Sequence, residues 1–190
     1  MNEIRPIRWA DGRLWLLDQT RLPLEQITLE MDRCQQAVDA IREMRVRGAP
    51  AIGVTAAFAV AMAAREIDAT DPRVFLTRLQ EAALRINAAR PTAVNLQWAV
   101  QRMLRVAEGE PSLDTMNGRL LAEAQRIQKE DEEVNRRMGD LGKDLLPEGG
   151  AVLTHCNAGA LATSGYGTAL GVIRAGWEAG KRFQVYNTET

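Results

Sequence analysis

Two arginines, one cysteine and a glycine-bearing helix start are the residues of this 190-residue chain whose types and settings could do chemistry. The first group is Arg47-Gly48-Ala49-Pro50. Proline suits the first turn of a helix, where its missing N–H has no partner to lose, so Pro50 marks a helix start. Free N–H groups at such a terminus, a glycine that allows close approach and the fixed charge of Arg47 together suit an anion. The same four residues also fit a tight turn into a core helix with a solvated arginine. The second group is Cys156, which ends the apolar run Ala151-Val152-Leu153-Thr154-His155-Cys156 and opens the glycine-rich stretch Asn157 to Gly167. Open α/β sheets place ligands at that end of a strand, and nearby helix N-termini favour a thiolate. The competing reading is a small buried hydrophobe, the commoner fate of a free cysteine.

Neighbouring positions add less. His155 points to the opposite face of the strand from Cys156, so the two do not make a simple Cys–His pair and His155 reads as structural. Arg90 precedes Pro91, which keeps it out of the helical region and in a defined loop position; an ordinary loop arginine fits equally. Gly165-Tyr166-Gly167-Thr168-Ala169-Leu170-Gly171 resembles a dinucleotide turn whose third glycine comes one residue late. That spacing argues against a nucleotide and leaves a phosphate or sugar near the helix N-terminus. Cys34 falls among the core positions of a helix and reads as packing.

The elements that must hold these residues follow from periodicity. Ile4 to Trp9 and Leu14 to Leu17 flank Asp11-Gly12, the dipeptide a tight hairpin turn requires. With Asp32 as N-cap, Cys34, Ala37, Val38 and Ile41 recur at helical spacing until about Met44. The stretch after Pro50, Ala51 to Ala64, is apolar on every side and so predicts a buried helix. Helices over Pro72 to Ala88 and Asn95 to Ala107 come next, then a long charged one from about Ser112 to Met138, with Ile127, Asp131 and Val134 on its packed face. After Leu145-Leu146-Pro147-Glu148-Gly149-Gly150 the pattern changes to a short buried strand over Ala151 to Cys156, a glycine turn, a helix over Thr168 to Ala179 and a strand over Phe183 to Tyr186. Strand, turn, helix and strand make a βαβ unit.

The expected fold class is therefore α/β: an N-terminal β-hairpin plus helical domain over 1–143, followed over 144–190 by the first βαβ unit of a Rossmann-like parallel α/β domain. One such unit cannot bury both faces of a parallel sheet, so that domain is expected to be incomplete and the chain truncated.

Composition excludes several classes. Lys and Arg number 24 against 25 Asp and Glu, which leaves no basic excess for nucleic acid. Trp9, Trp15, Trp98 and Trp177 are dispersed and offer no stacking platform for bases. Two widely separated cysteines are no disulfide framework, and a reduced cytoplasmic protein is expected. The start of the chain has no apolar signal core, and Ala51 to Ala64 is too short to span a bilayer. No cofactor, metal, nucleic acid or membrane is called for.

Taken together, Val46-Arg47-Gly48-Ala49-Pro50-Ala51-Ile52-Gly53, Arg90-Pro91-Thr92-Ala93-Val94-Asn95-Leu96 and Leu153-Thr154-His155-Cys156-Asn157-Ala158-Gly159 resemble the methylthioribose-1-phosphate isomerase family. Gly165 to Gly171 and Tyr186-Asn187-Thr188-Glu189-Thr190 extend the resemblance over the whole chain and in the same order. The family's superfamily includes the regulatory subunits of a translation-initiation nucleotide exchange factor. The resemblance implies an aldose–ketose isomerase of methionine salvage that converts 5-methylthioribose 1-phosphate to 5-methylthioribulose 1-phosphate and acts as a homodimer. It implies that Arg47, Gly48, Ala49 and Arg90 bind the phosphosugar and that Cys156 is catalytic. Members of the family are nearly twice as long, and their catalytic aspartate would fall after Thr190. A non-catalytic regulatory subunit and an isomerase of ribose 1,5-bisphosphate are the rival readings; the Thr-His-Cys-Asn-Ala-Gly turn and the Arg-Gly-Ala-Pro entry together favour an isomerase, and Arg90 to Leu96 favours the methylthio substrate.

Overall fold

The computed structural model describes residues 4–110 and 112–188. Strands β1 (Ile7–Ala10) and β2 (Arg13–Leu17) pair antiparallel around Asp11 and Gly12, both at positive φ (54° and 74°), as the hairpin dipeptide demands. A third strand, β3 (Thr28–Met31), pairs antiparallel with β2, Leu14 facing Met31. The reading from sequence passes over β3 although Ile27-Thr28-Leu29-Glu30-Met31 alternates apolar and polar, because four residues are a short run and pairing with β2 completes them. Helix α1 (Cys34–Arg42) follows. Its N-cap is Arg33 rather than Asp32, and Gln36 Oε1 accepts the backbone N–H of both Asp32 and Arg33 at 2.9 Å. The glutamine reaching back from the first turn supplies the cap that an aspartate side chain was expected to give.

Helix α2 (Ala49–Glu66) is buried without a break from Ala51 to Ala64. It runs through the middle of the N-terminal part, packed by α1, α3 (Pro72–Ala89), α4 (Val94–Glu108) and α5 (Leu113–Gly142). The small sheet reaches the same core, with the Trp9 ring stacked on Phe58 at 5.4 Å between centroids. Asp71 caps α3 by accepting the Arg73 and Val74 N–H groups at 2.7 and 3.3 Å. Arg102 ties α4 to α5, with Nε 2.5 Å from Glu123 and Nη1 2.5 Å from Glu130. Helix α5 continues one turn past the expected end at Met138, and Val134 on it is exposed rather than packed.

Strand β4 (Ala151–Thr154), helix α6 (Ala169–Glu178) and strand β5 (Gln184–Asn187) form the βαβ unit, with Val152 facing Val185 in parallel register. Two expectations fail here. The strand stops at Thr154, because Cys156 has φ 71° and cannot continue it. The strand is also not buried. Leu153 is 71 % and Tyr186 51 % exposed, since among the described residues α6 packs on α5 and the opposite face of the two strands has no cover. Glu189 and Thr190, the last two residues of the final motif, lie outside the described residues. No helix is long and apolar enough to cross a membrane among the described residues.

Candidate functional site

Three separate stretches of sequence converge on the N-terminus of α2. Gly48 is the N-cap, with φ 91° and ψ 135°, and its carbonyl accepts the Ile52 N–H at 3.0 Å. A β-carbon on residue 48 would fall 2.4 Å from Ala162 Cα, so the turn after Cys156 lies directly on the helix start. One helical turn on, a β-carbon on Gly53 would stand 2.9 Å from the Asn95 carbonyl oxygen, so the segment leading from Arg90 into α4 lies against the flank of the same helix. Arg47 and Ala49 are exposed, and Arg47 makes no ion pair or hydrogen bond among the described residues. Arg90 is the C-cap of α3, half-buried, with φ −145° as the following proline dictates; its carbonyl accepts the Ala93 N–H at 3.0 Å. An arginine free of internal partners beside a helix N-terminus is a cation available to an external anion.

Cys156 is exposed and stands at φ 71°, two residues past the end of β4. Non-glycine residues are seldom held in this left-handed region, and they concentrate at functional sites. The alternative reading, a small buried hydrophobe, describes Cys34 instead: that thiol is buried and pushed up to about 11, first by burial and then by the charge of Glu66. His155 Nδ1 and Thr188 Oγ1 are hydrogen-bonded at 2.6 Å, which joins the ends of β4 and β5 and leaves Cys156 without its ring.

The stretch that follows Cys156 is a braced unit. The Thr168 N–H donates to Ala158 O at 2.9 Å, and Thr163 Oγ1 accepts the N–H groups of Gly165 and Gly167 at 3.2 and 3.0 Å. Gln19 Nε2 donates to Leu161 O at 2.7 Å, and Asp131 Oδ2 accepts the Ser164 N–H at 2.7 Å. Sequence reasoning missed Gln19, Thr163 and Asp131 as parts of this site. Only Asp131 left a signal, since it shares the packed face of α5 with Ile127.

A cleft of about 560 Å³ opens beside the same helix start, between α2, α4 and α5. Its walls are mainly apolar, from Val54, Val94, Trp98, Ile127, Val134 and Met138. Its charged lining groups are Glu130, paired with Arg102, and Asp131, and among the described residues no cationic side chain lines it. Arg47, Gly48, Ala49, Arg90 and Cys156 are not among its lining residues, and a phosphate would meet the helix start outside this cleft. Among the described residues no group of three or more His, Cys, Asp and Glu is arranged to hold a metal.

A sequence model of the initiation factor 2 subunit family matches residues 45–190. The chain belongs to that family. The match contains the α2 start, the Arg90 segment and the Cys156 turn, while Gln19 falls outside it. A methylthioribose-1-phosphate isomerase from Desulforudis audaxviator is 53% identical over 190 residues, which is 98% of this chain and 54% of the relative. One from Geotalea uraniireducens is 51% identical with the same coverage. Among solved structures, the 5-methylthioribose 1-phosphate isomerase from Pyrococcus horikoshii superposes with a TM-score of 0.88 at 31% identity, covering 98% of this chain and 61% of that one. The delta subunit of translation initiation factor eIF-2B from A. fulgidus gives 0.85 at 43% identity, covering 98% and 55%. This member of the family spans about half the length of the curated relatives it matches.

Proposed function

We propose that this chain carries the phosphate-binding and thiol half of a methylthioribose-1-phosphate isomerase, whose activity belongs to a protein of the relatives' full length. One observation carries the reading: the Arg47-Gly48-Ala49 helix start and the Cys156 turn, far apart in sequence, are packed together through Gly48 and Ala162. The names of relatives about 50% identical along nearly the whole chain supply the substrate.

In this reading the helix N–H groups and Arg47 and Arg90 hold the phosphate, for which charge-assisted hydrogen bonds are the strongest available. The phosphate sits on the anomeric oxygen, so the ring must be opened before hydrogen moves from C2 to C1. The exposed Cys156 thiol handles a proton or steadies charge beside those carbons. A carboxylate from the remainder of a full-length protein completes the acid–base pair. The division into a 1–143 unit and the opening βαβ unit of a Rossmann-like domain at 144–190, a homodimer and a cytoplasmic setting belong to the same proposal.

The test is made on a protein of the relatives' length that carries this sequence. Cys156→Ser should lower turnover of 5-methylthioribose 1-phosphate about 10²–10⁴-fold, the worth of a proton-transfer group. Arg47→Ala should weaken phosphosugar binding by about 1.5–3 kcal/mol. An undiminished Cys156→Ser protein would sink the thiol's role, and preference for ribose 1,5-bisphosphate would redirect the substrate. The 43% identity to an initiation-factor subunit favours a second reading, a non-catalytic regulatory protein. Phosphosugar binding without turnover in the full-length protein would decide for it.

A further inference from the structure

We propose that Asp131 is a positioning residue for Cys156, acting through the braced turn between them; the inference rests on the isomerase reading given above. Asp131 lies mid-way along α5, on the helix that supports both the α2 core and α6. Its two carboxylate oxygens have separate duties. Oδ2 accepts the Ser164 N–H at 2.7 Å, while Oδ1 accepts from Asn135 Nδ2 at 3.0 Å. The same Asn135 amide also donates to the Asp131 carbonyl at 2.8 Å, and Asn135 is itself buried, so the carboxylate is held in one orientation from its own helix.

What Asp131 grips is a stiff piece. Ser164 lies between Thr163, whose hydroxyl collects two backbone N–H groups, and the segment tied back to Ala158. Residues 158–168 therefore shift together rather than one at a time, and Cys156 enters that piece two residues before its first tie. The piece has a second strut in Gln19, on Leu161, and rests against Gly48. Between the Gln19 and Asp131 struts, the carboxylate is the charged acceptor and makes the stronger bond. Losing it removes the tie at Ser164, while the packing of Tyr166 against Gly139 and Arg136 of α5 and the Gln19 and Gly48 contacts remain, so the turn pivots about Tyr166 rather than coming away. The thiol then tilts relative to the phosphate anchors on α2. The anchors themselves stay put, because they belong to a different element.

The experiment needs no substrate in its first arm. Alkylation of this chain by iodoacetamide reads Cys156, and the buried Cys34 serves as an internal marker of an intact core. Asp131→Ala should change the Cys156 rate by at least about threefold with Cys34 still protected, the effect of one lost hydrogen bond. Asp131→Asn keeps an acceptor oxygen for the Ser164 N–H and should return close to the parent rate. An Ala variant with the parent rate, or an Asn variant as altered as the Ala one, overturns the proposal. Should the Ala variant expose Cys34, Asp131→Glu decides: it keeps the charge but moves the oxygen by one methylene, and an unchanged Cys156 rate overturns the proposal there. In the full-length protein, Asp131→Ala should lower kcat about tenfold with KM within about threefold, the split expected when only the reacting group is displaced. A full-length parent with no isomerase activity would end the isomerase reading and leave the alkylation result standing.

Discussion

Gly48 and Ala162 are in such close contact that no β-carbon fits between them: one placed on residue 48 would sit 2.4 Å from the Ala162 Cα and 2.6 Å from its carbonyl oxygen. The contact also fixes a backbone at φ 91°, which side chains avoid. Gly48→Ala is therefore expected to lose about 2–4 kcal/mol, from backbone strain and overpacking together. Urea unfolding measures it. A loss below about 0.5 kcal/mol, the range of ordinary surface changes, would mean the two segments part easily.

Cys156 holds the same backbone region without glycine's freedom. Replacing it with glycine should relieve strain of about 1–2 kcal/mol, partly offset by the greater freedom of the unfolded chain. The expected net is a gain of up to about 1 kcal/mol over Cys156→Ala, which keeps the strain and lacks the thiol. Thermal unfolding of the two variants side by side is the measurement. An Ala variant as stable as the Gly variant would show the position to be relaxed.

The Arg102 cluster predicts an acid limb in stability. Its guanidinium lies 2.5 Å from Glu130 and holds that carboxyl below the usual carboxylate range, first through the side-chain hydrogen bond. A group depressed in the folded state stabilises above its unfolded pKa of about 4.3, and that contribution is lost as pH falls through the folded value. Glu130→Gln should thus be less stable than the parent at neutral pH, with the gap closing as pH falls below the unfolded value and through the lowered folded one. The Glu130 side chain is 43% exposed, so the gap should stay below about 1 kcal/mol. A gap that does not change with pH would separate Glu130 from the pairing.

The uncovered face of β4 and β5 predicts association of this chain on its own. Leu153 and Tyr186, partners in the parallel register, are exposed side by side on that face, an arrangement that invites contact with another molecule. Sedimentation velocity should show concentration-dependent association, and Leu153→Lys should reduce it. A monomer at all concentrations would contradict the expectation.

Much of this fold is legible in the sequence wherever one residue dictates its own backbone. Asp11-Gly12 announces the hairpin, Pro50 the start of α2, and the unbroken alanine-rich run its burial. The parts that stayed hidden depend on distant partners. β3 exists because β2 offers it an edge, and Gln36 displaces Asp32 as the cap because it reaches back along α1. The site divides in the same way. Arg47, Gly48, Ala49, Arg90 and Cys156 stand out by type and setting. The positive φ of Cys156 and the struts from Asp131 and Gln19 are products of tertiary packing, which no local pattern records.

Helix α2 has a consequence for how a ligand would be grasped. It is enclosed from Ala51 to Ala64, largely by other elements set close against its alanines, and so it has nowhere to slide or roll. In the proposed reading the anion meets the tip of an immobile shaft. Of the two sides that meet at Gly48, one is the core helix and the other is the braced segment, itself buried from Ala162 to Gly167. With both sides of the contact set in the interior, a ligand meeting them would find its seat already formed, and only the exposed Arg47 and Cys156 at the rim are left to adjust.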